Sequence, residues 1–330
     1  MINRRTFIAI AGSGMVGLSA SLRAQVPAAR HRIGILYGST RTDAEYFVGL
    51  LRAELDKLGW TDGRNIALLE PRSAEGRNDR LPSMAAELVA QGSDIILVQS
   101  APATRAAMQA TKSIPIVMVG VGNPVEYGIV ASHAKPGGNV TGSTYLADES
   151  IRKTLQLLKE AVPRLRSVAV FTNPSNEAAA PMVTLLQMDA KDHGMRAQFV
   201  DVSGPGDFEA AFAAIRREGT ESILLPPEPL IRSNRERIGG FAQAHGFPLA
   251  VVGSSRYLPV GGLLSYGPTG PQYAEITARY IDRILKGARP GDLPVEEPPR
   301  FELAISFKTA KALGLTIPQS IQARADEKIE

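Results

Sequence analysis

The chain contains no cysteine among its 330 residues. This absence excludes disulfides, thiolate metal sites, a cysteine nucleophile and a lipid anchor on an N-terminal cysteine. Histidine is also scarce, and its positions are dispersed: His31, His133, His193 and His245. No two of them stand at metal-ligand spacing, and no nucleophile-elbow motif occurs. We therefore expect no metal site, no catalytic residues and a protein that is not an enzyme.

Aromatic residues make up only 6% of the chain, and Trp60 is the single tryptophan. Sugar-binding sites commonly stack the sugar on aromatic rings, so this scarcity makes sugars a less favoured ligand. Amino acids and small organic acids need fewer rings and a few well-placed polar groups. Trp60 follows a glycine that ends a helical pattern, and we expect its role to be structural.

The N-terminus has the layout of a targeting segment. Residues 1–24 contain the adjacent Arg4 and Arg5, then small and apolar residues up to Leu22, then Ala24 as a small residue for cleavage. This layout is typical of an export signal, and the paired arginines indicate the twin-arginine route. The alternative is a transmembrane anchor, although the run is short and rich in glycine and serine. Without a lipid anchor, the predicted location is the periplasm.

The leader also accounts for most of the positive charge. Removing its three arginines lowers the formal net charge from +4 to +1, which argues against nucleic acid as a partner. Residues 12–17 spell the GxGxxG pattern of dinucleotide sites. Such a site needs an acidic residue about 20 positions later, and none occurs before Asp43. We therefore predict that no cofactor is bound.

Two apolar runs of the same design organise the remaining chain. In residues 114–120 and 246–253, a proline opens the run and a glycine closes it. Such runs are typical of strands buried on both faces of a parallel sheet, and the proline fits at the first position of the strand. In open α/β sheets, ligands bind beyond the carboxyl ends of the strands, where the closing glycine lets the chain turn.

Each of these runs follows the same series of earlier strands. Apolar runs at residues 33–37 and 94–98 precede the first copy, and runs at 168–171 and 221–225 precede the second. We predict an α/β protein with two Rossmann-like lobes, each with a parallel sheet, joined by a three-segment hinge. The predicted first lobe contains residues 25–143 and about 268–292, and the predicted second lobe contains residues 144–267 and about 293–330.

Six short motifs occur in order along almost the whole mature chain. They are residues 49–65 with Leu58-Gly59-Trp60 and Gly63-Arg64-Asn65, Asn123-Pro124-Val125, Pro136-Gly137-Gly138-Asn139-Val140-Thr141-Gly142, Gly262-Leu263-Leu264-Ser265-Tyr266-Gly267, Ile284-Leu285-Lys286-Gly287-Ala288 with Leu293-Pro294-Val295-Glu296, and Ala310-Lys311-Ala312-Leu313-Gly314-Leu315. This array resembles the family of ABC-transporter substrate-binding proteins that includes the tryptophan/tyrosine-binding TrpX type. The resemblance implies a type I periplasmic-binding-protein fold and an aromatic amino acid as ligand.

The sequence departs from that family at two polar positions. Asn123 stands where the family usually has aspartate, and Glu228 stands in a loop that commonly carries aspartate. Both positions are expected to contact the polar end of a ligand, so the departures leave the ligand class open.

Polar and tyrosine side chains at the strand ends and crossings form the predicted ligand site. Neutral groups at helix N-termini can bind a carboxylate, because free N–H groups point outward there. Glu228 is the predicted partner of a ligand amino group, with a solvated loop acid as the alternative. The predicted site residues are Ser39, Thr40, Gln99, Ser100, Asn123, Tyr145, Asn173, Ser175, Asn176, Glu228, Ser254 and Tyr266.

These features predict the periplasmic solute-binding component of an ABC importer. It would capture a small molecule between its lobes by hinge closure, the molecule being an aromatic or other amino acid or a small organic acid. The expected partners are this ligand and an ABC permease in the inner membrane, and we expect a monomer. Two alternatives stay open: an exported sensor that feeds a membrane receptor, and an exported α/β enzyme.

Overall fold

Two α/β units make up the part of the chain that the computed structural model describes, residues 30–253 and 255–330. The predicted export signal and Ser254 lie outside the described residues. No helix in these two ranges is long and apolar enough to span a bilayer.

The first unit contains a parallel sheet with helices on both faces. Its elements are β1 (His31–Tyr37), α1 (Arg41–Lys57), β2 (Ile66–Leu68), β3 (Arg72–Ser73), α2 (Leu81–Ala90), β4 (Ile95–Gln99), α3 (Ala101–Ala110), β5 (Ile116–Gly122) and β6 (Val140–Tyr145). The strand order is β2-β1-β4-β5-β6, with β3 also paired to β1, and every pairing is parallel.

The second unit repeats this design and adds two strands from the end of the chain. Its elements are α4 (Ala147–Ala161), β7 (Ser167–Thr172), α5 (Ala179–Asp192), β8 (Arg196–Asp201), α6 (Phe208–Arg217), β9 (Ile223–Leu225), α7 (Pro229–Ser233), α8 (Arg235–Ala244), β10 (Leu249–Val252), β11 (Leu264–Gly267), β12 (Glu302–Ser306), α10 (Phe307–Ala312), α11 (Gln319–Arg324) and β13 (Glu327–Ile329). The order is β13-β12-β11-β10-β9-β7-β8, parallel except between β11 and β12.

The two proline-initiated strands, β5 and β10, occupy the same place in the two sheets. The carbonyl of Pro115 accepts a hydrogen bond from the N–H of Ile96, and that of Pro248 accepts one from the N–H of Ile223. Each proline therefore stands just before its strand, where its carbonyl accepts a hydrogen bond from the preceding strand and its missing N–H lies outside the strand itself. The predicted two-lobe α/β fold is confirmed. We use "first lobe" and "second lobe" for the units built on the sheets of β1 and β7.

The chain passes between the sheets three times. It leaves the first sheet after β6 and returns after β11, where helix α9 (Gly270–Leu285) packs on α1, β5 and β6. Trp60 contacts this returning helix, because its Nε1 donates a hydrogen bond to Asp282 Oδ1 at 2.9 Å. The final passage follows Glu296, which forms an isolated parallel β-bridge with Ser143 of β6. This point comes slightly after the predicted crossing at residues 293–294, because Leu293 and Val295 are buried in the core of the first lobe.

Helix α1 shows why these residues form their elements. Thr40 is its N-cap, and its hydroxyl accepts a hydrogen bond from the N–H of Asp43 at 3.1 Å. Phe47, Leu51 and Leu55 recur at helical spacing and are buried against the first sheet. The helix ends before Gly59, whose φ of 84° is a left-handed conformation that favours glycine. This end directs Trp60 towards α9.

Candidate functional site

A cavity of about 720 Å³ lies between the two sheets, at the carboxyl ends of their strands. Both lobes line it: Gln99 and Gly120 belong to β4 and β5 of the first lobe, while Asn173 and Gly253 follow β7 and β10 of the second. Volumes of roughly 300–1,000 Å³ are usual for small-molecule sites. The cavity therefore has the place and size expected of a solute site in a two-lobed α/β protein.

Six of the predicted site residues line this cavity. They are Gln99, Ser100, Tyr145, Asn173, Asn176 and Glu228. Gln99 is 8% exposed, and its Oε1 has no hydrogen-bond partner within residues 30–253 and 255–330. A buried carboxamide oxygen without a partner carries a desolvation cost. A bound molecule that donates to Gln99 would remove it.

Five other predicted residues lie away from the cavity lining, and most of them have partners elsewhere. Ser39 is fully buried, and Thr40 caps α1. Asn123 donates to Glu126 Oε2 at 3.0 Å and to Asp148 Oδ1 at 3.2 Å. Ser175 donates to Asn173 Oδ1 at 2.7 Å, and Tyr266 stacks on Phe301 with 5.8 Å between ring centroids. Ser254 lies outside the described residues.

Glu228 is the N-cap of the short helix α7 and is 5% exposed. Its Oε2 accepts from the N–H of Ile231 at 3.0 Å, and its Oε1 accepts from Asn173 Nδ2 at 2.9 Å. Burial raises the pKa of this carboxyl above its usual value, and the hydrogen bonds from Ile231 and Asn173 only partly offset that rise. Both carboxylate oxygens of Glu228 therefore already accept hydrogen bonds, one from the backbone of α7 and one from Asn173 after β7.

Replacing Glu228 by glutamine should change how stability depends on pH. A raised pKa means that the folded protein holds this proton more tightly than the unfolded chain, so wild type loses stability as pH rises above about 4.5. Glutamine does not titrate. The free energy of unfolding of Glu228→Gln, relative to wild type, should therefore increase between about pH 4.5 and pH 7 in urea denaturation series.

The control for this measurement is Glu221→Gln on the surface of the second lobe. The backbone N–H of Arg166 lowers the pKa of Glu221, so the stability that this carboxylate contributes is lost only as pH falls below about 4.5. The stability of Glu221→Gln relative to wild type should therefore stay nearly constant between about pH 5 and pH 7. A pH-independent difference for Glu228→Gln would contradict a raised pKa of its buried carboxyl.

Tyrosines form much of the cavity wall, although the sequence is poor in aromatic residues. Five of the eight tyrosines line it: Tyr37, Tyr46, Tyr127, Tyr145 and Tyr273. The ring of Tyr273 covers Gly120, where an added Cβ would lie 2.8 Å from Cζ of that ring. Burial raises the pKa of Tyr127 to about 12, so its hydroxyl stays neutral. These five rings belong to the first lobe, and together they can enclose an apolar or aromatic body.

Arginines of the second lobe supply the positive charge of the site. Arg235 Nη1 lies 3.0 Å from Asp43 Oδ1 and 3.1 Å from Oδ2, and Arg256 binds the same carboxylate. Arg232 lines the cavity from α7. Its guanidinium makes no hydrogen bond or ion pair with any residue in the described parts of the chain. Asp43, Arg232 and Arg256 were not among the predicted site residues.

Further contacts join the two lobes outside the lining of this cavity. Arg105 of α3 and Glu177 of the second lobe approach to 2.8 Å, and Asn78 Nδ2 lies 3.3 Å from Ser175 Oγ. Backbone also approaches backbone, because a Cβ on Gly76 would lie 2.6 Å from Cα of Leu230. The two lobes thus contact each other across the cleft in this structure.

Comparison with protein families identifies the chain. The model of the family described as ABC transporter substrate binding protein matches residues 43–329. The chain belongs to this family. This family membership and the type I periplasmic-binding-protein fold were both predicted from the sequence, and both are confirmed.

Individual relatives of this substrate-binding protein agree with that assignment. A tyrosine-binding protein of Clostridioides difficile is 30% identical over 268 residues, which cover 81% of this chain and 76% of the relative. A conserved domain protein from Vibrio cholerae has a TM-score of 0.83 at 27% identity, over 90% of this chain and 99% of that one. An ABC domain from Streptococcus pneumoniae in complex with L-Trp has a TM-score of 0.82 at 24% identity, over 91% and 100%.

Proposed function

We propose that this substrate-binding protein is the periplasmic component of an ABC importer and captures an aromatic amino acid, another amino acid or a small organic acid. The observation that carries the proposal is the tyrosine-lined cavity of about 720 Å³, to which both lobes contribute. A solute enclosed in this way contacts both lobes only when they are together. Its binding energy therefore favours the closed form.

Three features support the finer parts of the proposal. The three chain passages between the sheets provide a hinge for the two lobes, residues 25–143 with about 268–292 and residues 144–267 with about 293–330. The tyrosine-binding relative and the complex with L-Trp favour an aromatic solute. The sequence of residues 1–24 favours export, and we propose that the mature protein acts as a monomer that presents its closed form to an ABC permease.

Thermal denaturation with a set of solutes tests capture directly. Aromatic amino acids, branched amino acids, aromatic acids and sugars are added separately, and one class should raise the melting temperature. A ligand at 100 times its Kd stabilises the folded state by about 2.7 kcal/mol. Sugars are the control class, because they are the less favoured ligands.

X-ray scattering then tests closure with the solute that stabilises most. We expect the radius of gyration to fall when that solute is added, because the lobes close on it. If no amino acid or organic acid changes either the melting temperature or the scattering profile, the proposed capture of these solutes is wrong.

A further inference from the structure

We propose that the solute is an organic monocarboxylate with an apolar or aromatic body and no ammonium group, and that Arg232 pairs with its carboxylate. This inference rests on the proposed solute capture and specifies its ligand class. The inference follows from which charged residues line the cavity and which of them already have partners within the protein.

A ligand ammonium would find no available buried carboxylate in the described part of the cavity. Its two buried acidic residues are Asp43 and Glu228, each 5% exposed. Asp43 is shared by Arg235 and Arg256, while Glu228 accepts hydrogen bonds from Asn173 and from the backbone of α7. A buried carboxylate that is already paired gains little from a second cation and would have to give up its present partners.

A ligand carboxylate, in contrast, would meet an unsatisfied cation. Burial opposes the charge of Arg232, and the groups that act on this charge electrostatically are Asp43, Tyr257, Tyr37 and Tyr145. The three tyrosines are neutral, and Asp43 already serves two other guanidiniums. A partly buried guanidinium without an anion is costly, and its planar donors match a carboxylate.

The remainder of the cavity suits the other end of such a molecule. Tyr37, Phe47, Tyr127 and Tyr273 present rings, and Val119 adds an aliphatic surface. The unpartnered Gln99 Oε1 offers one acceptor for a hydroxyl or ring N–H on the ligand body. The cavity therefore combines the guanidinium of Arg232 with an apolar wall and with neutral polar groups, among them the unpartnered oxygens of Gln99 and Gln272.

Matched sets of molecules with one body and different head groups test the proposal by isothermal titration calorimetry. The phenyl set is phenylpropionate, L-phenylalanine, phenylpropanamide and phenethylamine, and the indole set is indolepropionate, L-tryptophan, indolepropanamide and tryptamine. In at least one set, the acid should bind about tenfold or more tightly than the amino acid and the amide, and the amine should not bind.

Variants then assign the carboxylate partner. Arg232→Gln should weaken binding of the acid by about tenfold or more and leave the amide unchanged, while Arg232→Lys should retain part of the affinity. Arg237→Gln is the control, because Arg237 binds Glu209 on the outer side of α8. Circular dichroism and melting temperature without ligand show that each variant is folded.

The two proposals fail in different ways. Equal or tighter binding of the amino acid, or an unchanged affinity of the acid for Arg232→Gln, overturns the acid proposal and leaves solute capture intact. Absence of binding by every member of both sets also overturns the acid proposal, whereas solute capture is decided by the wider thermal screen and by scattering.

Discussion

Replacing Gly76 by alanine should weaken solute binding by about 10- to 100-fold while both lobes stay folded. Gly76 follows β3 in the first lobe, and its N–H donates to the carbonyl of Gly38 at 2.8 Å. A Cβ at this position would lie 2.6 Å from Cα of Leu230 in the second lobe. Contacts below 3.0 Å force a displacement, and backbone can yield less than the end of a flexible side chain.

The closed form alone carries this cost, because Leu230 belongs to the opposite lobe. Overpacking of a well-packed contact costs about 1–3 kcal/mol, and each 1.4 kcal/mol is tenfold in Kd. In calorimetric titration with the solute found by thermal screening, Gly76→Ala should show this loss. In scattering experiments, its radius of gyration should change less on ligand addition than that of wild type.

Gly92→Ala is the matched control for Gly76→Ala. Both glycines have positive φ, 79° for Gly76 and 69° for Gly92, so alanine strains the backbone at each. A Cβ on Gly92 meets no atom within 4 Å, whereas a Cβ on Gly76 meets Leu230. Equal affinities of the two variants would contradict a role for the Gly76–Leu230 contact in closure.

The sequence predicts much of the fold because both lobes use the same local signals. Pro115 and Pro248 precede buried strands, and Gly120 and Gly253 lie near the ends of those strands, which places the strand ends at one edge of each sheet. Gly253 directly follows β10, whereas β5 continues for two residues beyond Gly120. That edge brings Gln99, Ser100, Asn173 and Glu228 to the cavity. Strand ends are predictable from sequence because an apolar run and its terminating residue define them locally.

Residues positioned by tertiary packing were not predictable in this way. Arg232 lies one turn beyond Glu228, so its direction depends on where the five-residue helix α7 begins. Tyr273 reaches Gly120 because α9 returns to the first lobe. Tyr266 lies on β11 at a crossing, as predicted, yet its ring stacks on Phe301. The composition shows that aromatic residues are few, but it does not show that five tyrosines lie around one cavity in the folded protein.

Replacing Asp43 by asparagine should weaken solute binding by about 100-fold, because Asp43 neutralises two arginines only when the lobes are together. Asp43 lies on α1 of the first lobe, whereas Arg235 and Arg256 belong to the second. The side chains of Asp43 and Arg235 are 5% and 12% exposed. Removing one partner of a buried pair costs about 3–5 kcal/mol, and asparagine retains part of the hydrogen bonding.

The ion pair between Arg105 and Glu177 is the control for this effect. It also joins the two lobes, but its side chains are 41% and 31% exposed. Exposed pairs contribute about 0–1 kcal/mol, so Glu177→Gln should change Kd by no more than about fivefold. Similar losses for Asp43→Asn and Glu177→Gln would contradict the distinction between buried and exposed contacts.

A double-mutant cycle separates an effect of Asp43 on closure from direct contact with the solute. If Asp43 acts through Arg235, Asp43→Asn and Arg235→Gln combined should weaken binding by less than the product of their separate effects. If Asp43 instead contacted the solute independently of Arg235, the two losses would multiply. Coupling in calorimetric titrations would therefore assign Asp43 to holding the lobes together, since an interaction energy arises only where the two side chains share a role.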